Sequence, residues 1–234
     1  MAELIYNGKN LKMYCTPKCG ISNFRYMVKN GIFNKNFRLD KEYKAIVIRN
    51  VWDRLVSFYV QKIVISKSFT NTRQIYKSYN NQKIEDLGDK SFKYFINILN
   101  NVDIYSTEYH ISPQSIGVED VHFDLIINLD NINDEIKPLL KMVKNESFEI
   151  SHVADSSSNN WLKNIGGQVK NYENINHTRD VVVEGAYDMT PGELIKVGIP
   201  KNYNYFYNEE LIEMVGNIFK KDIDKFNLEY PYKK

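Results

Sequence analysis

Apolar and polar positions alternate along the chain in short blocks, and their spacing separates strands from helices. Leu11 to Thr16 (LKMYCT) is brief and mostly apolar, with β-tending residues, and Pro17 follows; this predicts a strand running into a loop. Ser22 or Asn23 is placed to cap a helix through about Lys29, where Asn30-Gly31 supplies a stop. Glu42 to Ile48 (EYKAIVI) predicts a buried strand that ends at Arg49-Asn50. Val51 to Ile65 has helical spacing, with Trp52, Leu55, Val56, Tyr59 and Ile63 as an apolar stripe. That stripe leaves Asp53, Arg54, Ser57 and Lys62 for the surface.

Further along, Phe92 to Leu99 predicts a helix and Asp124 to Leu129 a strand. Asn131 to Met142 is a helix candidate with Pro138 inside it. Val181 to Val183 predicts a short strand, and Glu209 to Phe219 a helix with favourably acidic first residues. Two stretches lack such patterning. Residues 66–90 are polar and rich in Asn, Lys and Tyr, as expected of a mobile cover over a cleft. Residues 151–178 carry a Ser/Asn run and Gly166-Gly167 and look least ordered. Strands alternating with helices predict an α/β fold with a central, mostly parallel sheet flanked by helices, in one domain spanning residues 1–234.

Composition restricts the function classes. The chain has 234 residues, 43% hydrophobic and 26% charged, enough for one substantial core. A net charge of +2 gives no sign of a nucleic-acid binder, yet it is compatible with a local site for a small anion. The N-terminal residues make a poor signal peptide and no run approaches the length of a membrane span, so a soluble, cytoplasmic protein is expected. Two cysteines are too few for a disulfide scaffold, and the four histidines, His110, His122, His152 and His177, are scattered. No ligand constellation demands a metal.

The loop after the first predicted strand reads CTPKCGISN. A strand-to-helix loop can turn backbone N–H groups toward an anion, and the helix start adds its positive end. Lys18 supplies a full charge, Gly20 permits close approach, and Ser22 offers a hydroxyl. The match to the Mg-nucleotide P-loop is poor, because Lys18 precedes Gly20 and no earlier Gly opens the motif. An ordinary turn with a solvated lysine is the alternative for this motif alone. Cys15 is expected to face the core, and no base partner identifies Cys19 as reactive. A second anion element lies in IVIRNVWDRLVSFY. Arg49 ends a predicted central strand, where α/β sites occur, and Ser57 lies eight residues later on the following helix.

With both elements, the sequence resembles the carbohydrate sulfotransferases that use 3'-phosphoadenosine 5'-phosphosulfate (PAPS), particularly the Golgi HNK-1-type, chondroitin and uronosyl 2-O branches. Their P-K-x-G-x-S/T-N element is matched by Pro17, Lys18, Gly20, Ser22 and Asn23. Their second element is matched by Ile48, Arg49, Asn50, Trp52, Asp53, Arg54, Leu55, Ser57 and Tyr59, with Val51 in place of a proline. His110 to Gln114 (HISPQ) resembles an H-x-x-P-Q segment, FDLIINLDNINDEI follows it, and IFKKDIDKFNLEY resembles the family's terminal block.

The resemblance implies a P-loop-like sulfotransferase fold, PAPS as co-substrate and no metal. It implies that Pro17, Lys18, Cys19, Gly20, Ile21, Ser22 and Asn23 hold the 5'-phosphosulfate, while Arg49 and Ser57 bind the 3'-phosphate. Arg54 braces the motif or approaches the nucleotide. Lys18 and the loop N–H groups would stabilise charge growing on the leaving phosphate. His110 is the first candidate for the general base, with Glu108 second and His122 third.

The chain also departs from the family. It has no histidine between the two phosphate elements, no cysteines around HISPQ and no Golgi anchor, as expected of a compact, soluble relative with remodelled acceptor parts. A saccharide is the expected acceptor. Tyr76, Tyr79, Tyr94, Tyr105, Tyr109, Tyr203, Tyr205 and Tyr207 offer rings for stacking on sugars, and Lys62, Lys67 and Arg73 could meet an acidic one. The competing readings are a PAPS-binding protein that has lost catalysis and a P-loop-like nucleotide phosphotransferase. Quaternary state is left open.

Overall fold

In chain order the elements are β1 (Glu3–Asn7), β2 (Leu11–Cys15), β3 (Tyr43–Ile48), α1 (Val51–Phe58), a π-helical segment (Tyr59–Ile65), α2 (Phe92–Leu99), β4 (Leu125–Asn128), α3 (Ile132–Glu135), α4 (Lys137–Met142), α5 (Pro191–Val197), α6 (Glu209–Ile218) and α7 (Lys220–Phe226). This computed structural model describes residues 2–8, 10–16, 19, 24–25, 28, 39–66, 87–107, 109–143 and 179–232. They fall into two units, one drawn from residues 1–49 and 114–172, the other from 50–113 and 173–234. The expected cover is described only at its two ends, and the segment 151–178 lies outside the described residues.

The first unit is built on a four-stranded sheet in the order β1-β2-β3-β4. β1 pairs antiparallel with β2, whereas β2, β3 and β4 run parallel, Cys15 opposite Val47 and Ile48 opposite Asn128. Strand alternation explains the packing. Leu11, Met13 and Cys15 point to one face with Ala45, Val47 and Ile127. Ile136, Leu139, Leu140 and Val143 close over that face, joined by Phe24 and Cys19. Ile46 and Ile48, on the other face of β3, are buried too, the mark of a central strand. This is the expected α/β fold with a mostly parallel sheet.

Asp124 fixes the register at the start of β4. It accepts hydrogen bonds from Lys41 Nζ (2.8 Å) and Lys44 N (3.0 Å), while its own N–H donates to Lys44 O (2.9 Å).

In the second unit, α1 is capped by Asn50, whose side chain accepts from Trp52 N. Asn50 Nδ2 also donates to Glu229 O (2.6 Å), and Trp52 Nε1 donates to Ile212 O (3.1 Å). Tyr59, Phe92, Phe95 and Phe206 form a buried aromatic cluster. The hydroxyl of Tyr59 is retained there by donating to Lys90 O at 2.8 Å.

Several expectations need correction. The helix predicted over Val51 to Ile65 is α-helical only to Phe58, and a π-helical segment completes it. Asp53 and Arg54 are buried rather than on the surface, because the aromatic C-terminal segment and the 109–112 turn cover them. The helix predicted over Asn131 to Met142 is broken at Ile136: Pro138 has no N–H for the preceding turn and sits in the first turn of α4 instead. Val181 to Val183 is not a strand; only an isolated bridge between Arg179 and Pro200 occurs nearby, and Val182 is 73% exposed. β1, α5 and α7 were not anticipated.

The Lys41 ammonium, followed by the Lys44 N–H, holds the Asp124 carboxyl below the usual carboxylate range. A depressed folded pKa gives stability that is present above the unfolded value, about 3.9, and lost as pH falls through the folded value. Asp124→Asn should therefore lower unfolding free energy at pH 6, with the difference from wild type shrinking toward pH 2. Urea titrations across that range check it; an unchanged difference would contradict the ion pair's role.

Candidate active site

Parallel pairing brings the carboxyl ends of β2, β3 and β4 to one edge of the sheet, where ligands bind in open α/β folds. β2 passes into Thr16, and a turn follows in which Cys19 N donates to Thr16 O (3.1 Å). Cys15 Sγ donates to Cys19 O (3.3 Å), and Thr16 Oγ1 lies 2.8 Å from Cys19 Sγ. Both thiols are buried and free of any disulfide. Burial, then the neighbouring Cys19, pushes the Cys15 thiol well above its ordinary pKa, so it is an inert core group. Of the expected donor loop, Cys19 is described; Pro17, Lys18, Gly20, Ile21, Ser22 and Asn23 lie outside the described residues.

Arg49 directly follows β3. Its Nε lies 3.3 Å from Asp130 Oδ1, and its side chain is only 17% exposed. Asp130 is itself held in a tight turn after β4, its N–H donating to Asn128 Oδ1 (3.1 Å). The Arg49 backbone is fixed by Gln114, a fully buried side chain on the segment that re-enters this unit. Arg49 N donates to Gln114 Oε1 (2.9 Å) and Gln114 Nε2 donates to Arg49 O (2.8 Å). Cys19 Sγ (2.9 Å) and Thr16 Oγ1 (3.2 Å) reach the same oxygen. The first unit thus joins Cys19 and Arg49, one residue from each expected phosphate element, through a single carboxamide.

The second unit holds Ser57, Arg54 and His110. Ser57 is half-buried on α1. Arg54 is 1% exposed and donates from Nη2 to His110 O (3.1 Å) and Ser112 O (2.6 Å). Those bonds shape the 109–112 turn, in which Ser112 Oγ also donates to Tyr109 O (3.1 Å). His110 is half-buried, with its ring centroid 3.9 Å from that of Tyr109 and 6.4 Å from that of Phe58. Glu108 lies outside the described residues, and His122 is exposed in the first unit.

Sequence reasoning missed Gln114, Thr16 and Asp130. HISPQ was visible as a block, but nothing in residue type marks a glutamine as a backbone clamp. Among the described residues, no group of three or more His, Cys, Asp and Glu side chains could hold a metal ion, and no helix is long and apolar enough to cross a membrane.

A family model described as "Sulfotransferase family" matches residues 17–231. No curated protein and no solved structure matches the chain.

Arg54→Ala would strand the His110 and Ser112 carbonyls and open a hole beneath α1. It should lower the unfolding free energy by about 2–4 kcal/mol, read from urea denaturation. A loss of under about 0.5 kcal/mol, the size of an ordinary surface substitution, would contradict the bracing role.

Proposed function

The chain belongs to the sulfotransferase family, and on that premise we propose that it moves the sulfuryl group of PAPS to a hydroxyl, most readily of a saccharide, by in-line transfer. Bound PAPS supplies an activated sulfuryl group: the acceptor oxygen bonds to sulfur as the bond from sulfur to the 5'-phosphate oxygen breaks, and the acceptor's proton passes to a base. The observation that carries the reading is the placing of Arg49. It is a largely buried guanidinium at the carboxyl edge of the sheet, with its backbone fixed at both its N–H and its C=O. The family match spans this arginine and the whole Pro17–Asn23 loop, which supports assigning both to one donor site.

In this reading Arg49 grips the 3'-phosphate through paired N–H donors, with the Ser57 hydroxyl adding a bond. Asp130, on Nε, orients the guanidinium and limits how far it can swing. Lys18 and the loop N–H groups, with the Ser22 hydroxyl, surround the 5'-phosphate. Lys18 neutralises the charge that grows on the leaving oxygen, so it lowers the barrier more than it tightens binding. His110 takes the acceptor's proton, and its main chain is held by Arg54. Tyr109, 51% exposed and packed on His110, offers a ring for an acceptor sugar.

Calorimetric titration with 3'-phosphoadenosine 5'-phosphate, together with transfer from radiolabelled PAPS to a saccharide panel, tests the proposal. Arg49→Ala should weaken nucleotide binding about 100-fold, as expected when a charge-assisted pair is removed. His110→Ala should leave that affinity unchanged and depress kcat about 100-fold or more. Nucleotide affinity indifferent to Arg49 would overturn the donor site. Label reaching only non-saccharide hydroxyls would overturn the acceptor class, and equal loss of binding and turnover in His110→Ala would remove it as the base.

A further inference from the structure

We propose that Gln114 is a positioning residue that ties Thr16 and Cys19 to the Arg49 main chain, so that recognition of the 3'-phosphate depends on its carboxamide. The inference rests on the donor-site reading above. Its ground is the pattern of bonds around one buried side chain. Gln114 is 0% exposed, and its amide meets the Arg49 main chain as a neighbouring strand would, one bond donated and one accepted. Arg49 lies one residue past the end of β3, and the ladder between β3 and β4 stops at Ile48 and Asn128. The glutamine therefore extends the fixed backbone to the residue that carries the guanidinium.

The same oxygen serves the loop side. Cys19 Sγ and Thr16 Oγ1 both approach Gln114 Oε1, and they also contact each other. Three donors share one oxygen with two lone pairs, and the Thr16–Cys19 contact lets the hydroxyl and the thiol bond each other as well. A shift of Thr16 and Cys19 would move Gln114 Oε1, and with it the Arg49 N–H. Glutamine meets these demands and close analogues do not. Asparagine is a methylene short, glutamate lacks the donor for Arg49 O, and methionine would leave the Arg49 N–H and C=O without it. Displacement of a binding group by about an ångström is enough to lose most of its effect.

The test compares binding of 3'-phosphoadenosine 5'-phosphate with that of adenosine 5'-phosphate, which lacks the 3'-phosphate. Their Kd ratio isolates the 3'-phosphate from general effects on the site. It is measured calorimetrically for wild type, Gln114→Met and Gln114→Glu, beside their thermal melts. Wild type should prefer the bisphosphate strongly. Gln114→Met should lose about ten-fold or more of that ratio, and Gln114→Glu, which keeps the acceptor, should fall between. A merely packing role would lower Tm and leave the ratio intact, and that result would overturn the proposal while the donor reading stands. If Gln114→Met does not fold, the ratio for Gln114→Glu decides by the same rule: a reduced ratio supports the clamp and a wild-type ratio overturns it. A wild type indifferent to the 3'-phosphate would overturn the donor reading itself, and this inference with it.

Discussion

Parallel pairing of β2, β3 and β4 is the constraint on which the first unit depends. Because the three strands run the same way, the chain must leave each of them at the same edge. Cys15, Ile48 and Asn128 end there, so Thr16, Cys19, Arg49 and Asp130 gather at that edge whatever their chemistry. Antiparallel β1 adds a further strand to the sheet without adding another carboxyl end to the group. The apolar alternation along β2 fixes its register, since a one-residue slip would turn Met13 out of the core.

In each unit one long buried polar side chain holds main chain. In the first, Gln114 satisfies the Arg49 backbone at both its N–H and C=O; in the second, Arg54 satisfies the His110 and Ser112 carbonyls. Irregular backbone can be buried only when its polar groups are satisfied, and a long side chain can reach where no strand or helix does. The Arg54 bonds hold the 109–112 turn in this way. The π-helical segment after α1 has the same local character. It widens the helix by one residue per turn while Ser66 N still bonds Gln61 O (3.0 Å).

How far the sequence could be read followed from how strong each periodic signal was. LKMYC and YKAIVI are apolar blocks bounded by turn residues, and both emerged as strands within a residue of the expected ends. The apolar stripe from Trp52 to Ile63 signalled a helix, but residue type along it did not reveal the i→i−5 bonding of Tyr59–Ile65. Val181 to Val183 misled because β-branched residues favour strands only where a neighbour pairs with them. α5 carried a readable capping box in Thr190 and Glu193, but its seven residues expose Ile195 and Val197, so no apolar face marked it. At the site, Lys18 and Arg49 could be named as candidates because a fixed charge is written in residue type. Gln114 was hidden because its role depends on contacts 95 and 98 residues distant in sequence.

The central claim is that one nucleotide is held at two points, by the loop from Pro17 to Asn23 and by Arg49. A crystal structure with 3'-phosphoadenosine 5'-phosphate tests it most directly. The account predicts the 5'-phosphate on the loop around Lys18, Gly20 and Ser22, and the 3'-phosphate on the Arg49 guanidinium. Phosphates bound elsewhere, or a 3'-phosphate that leaves Arg49 untouched, would contradict it.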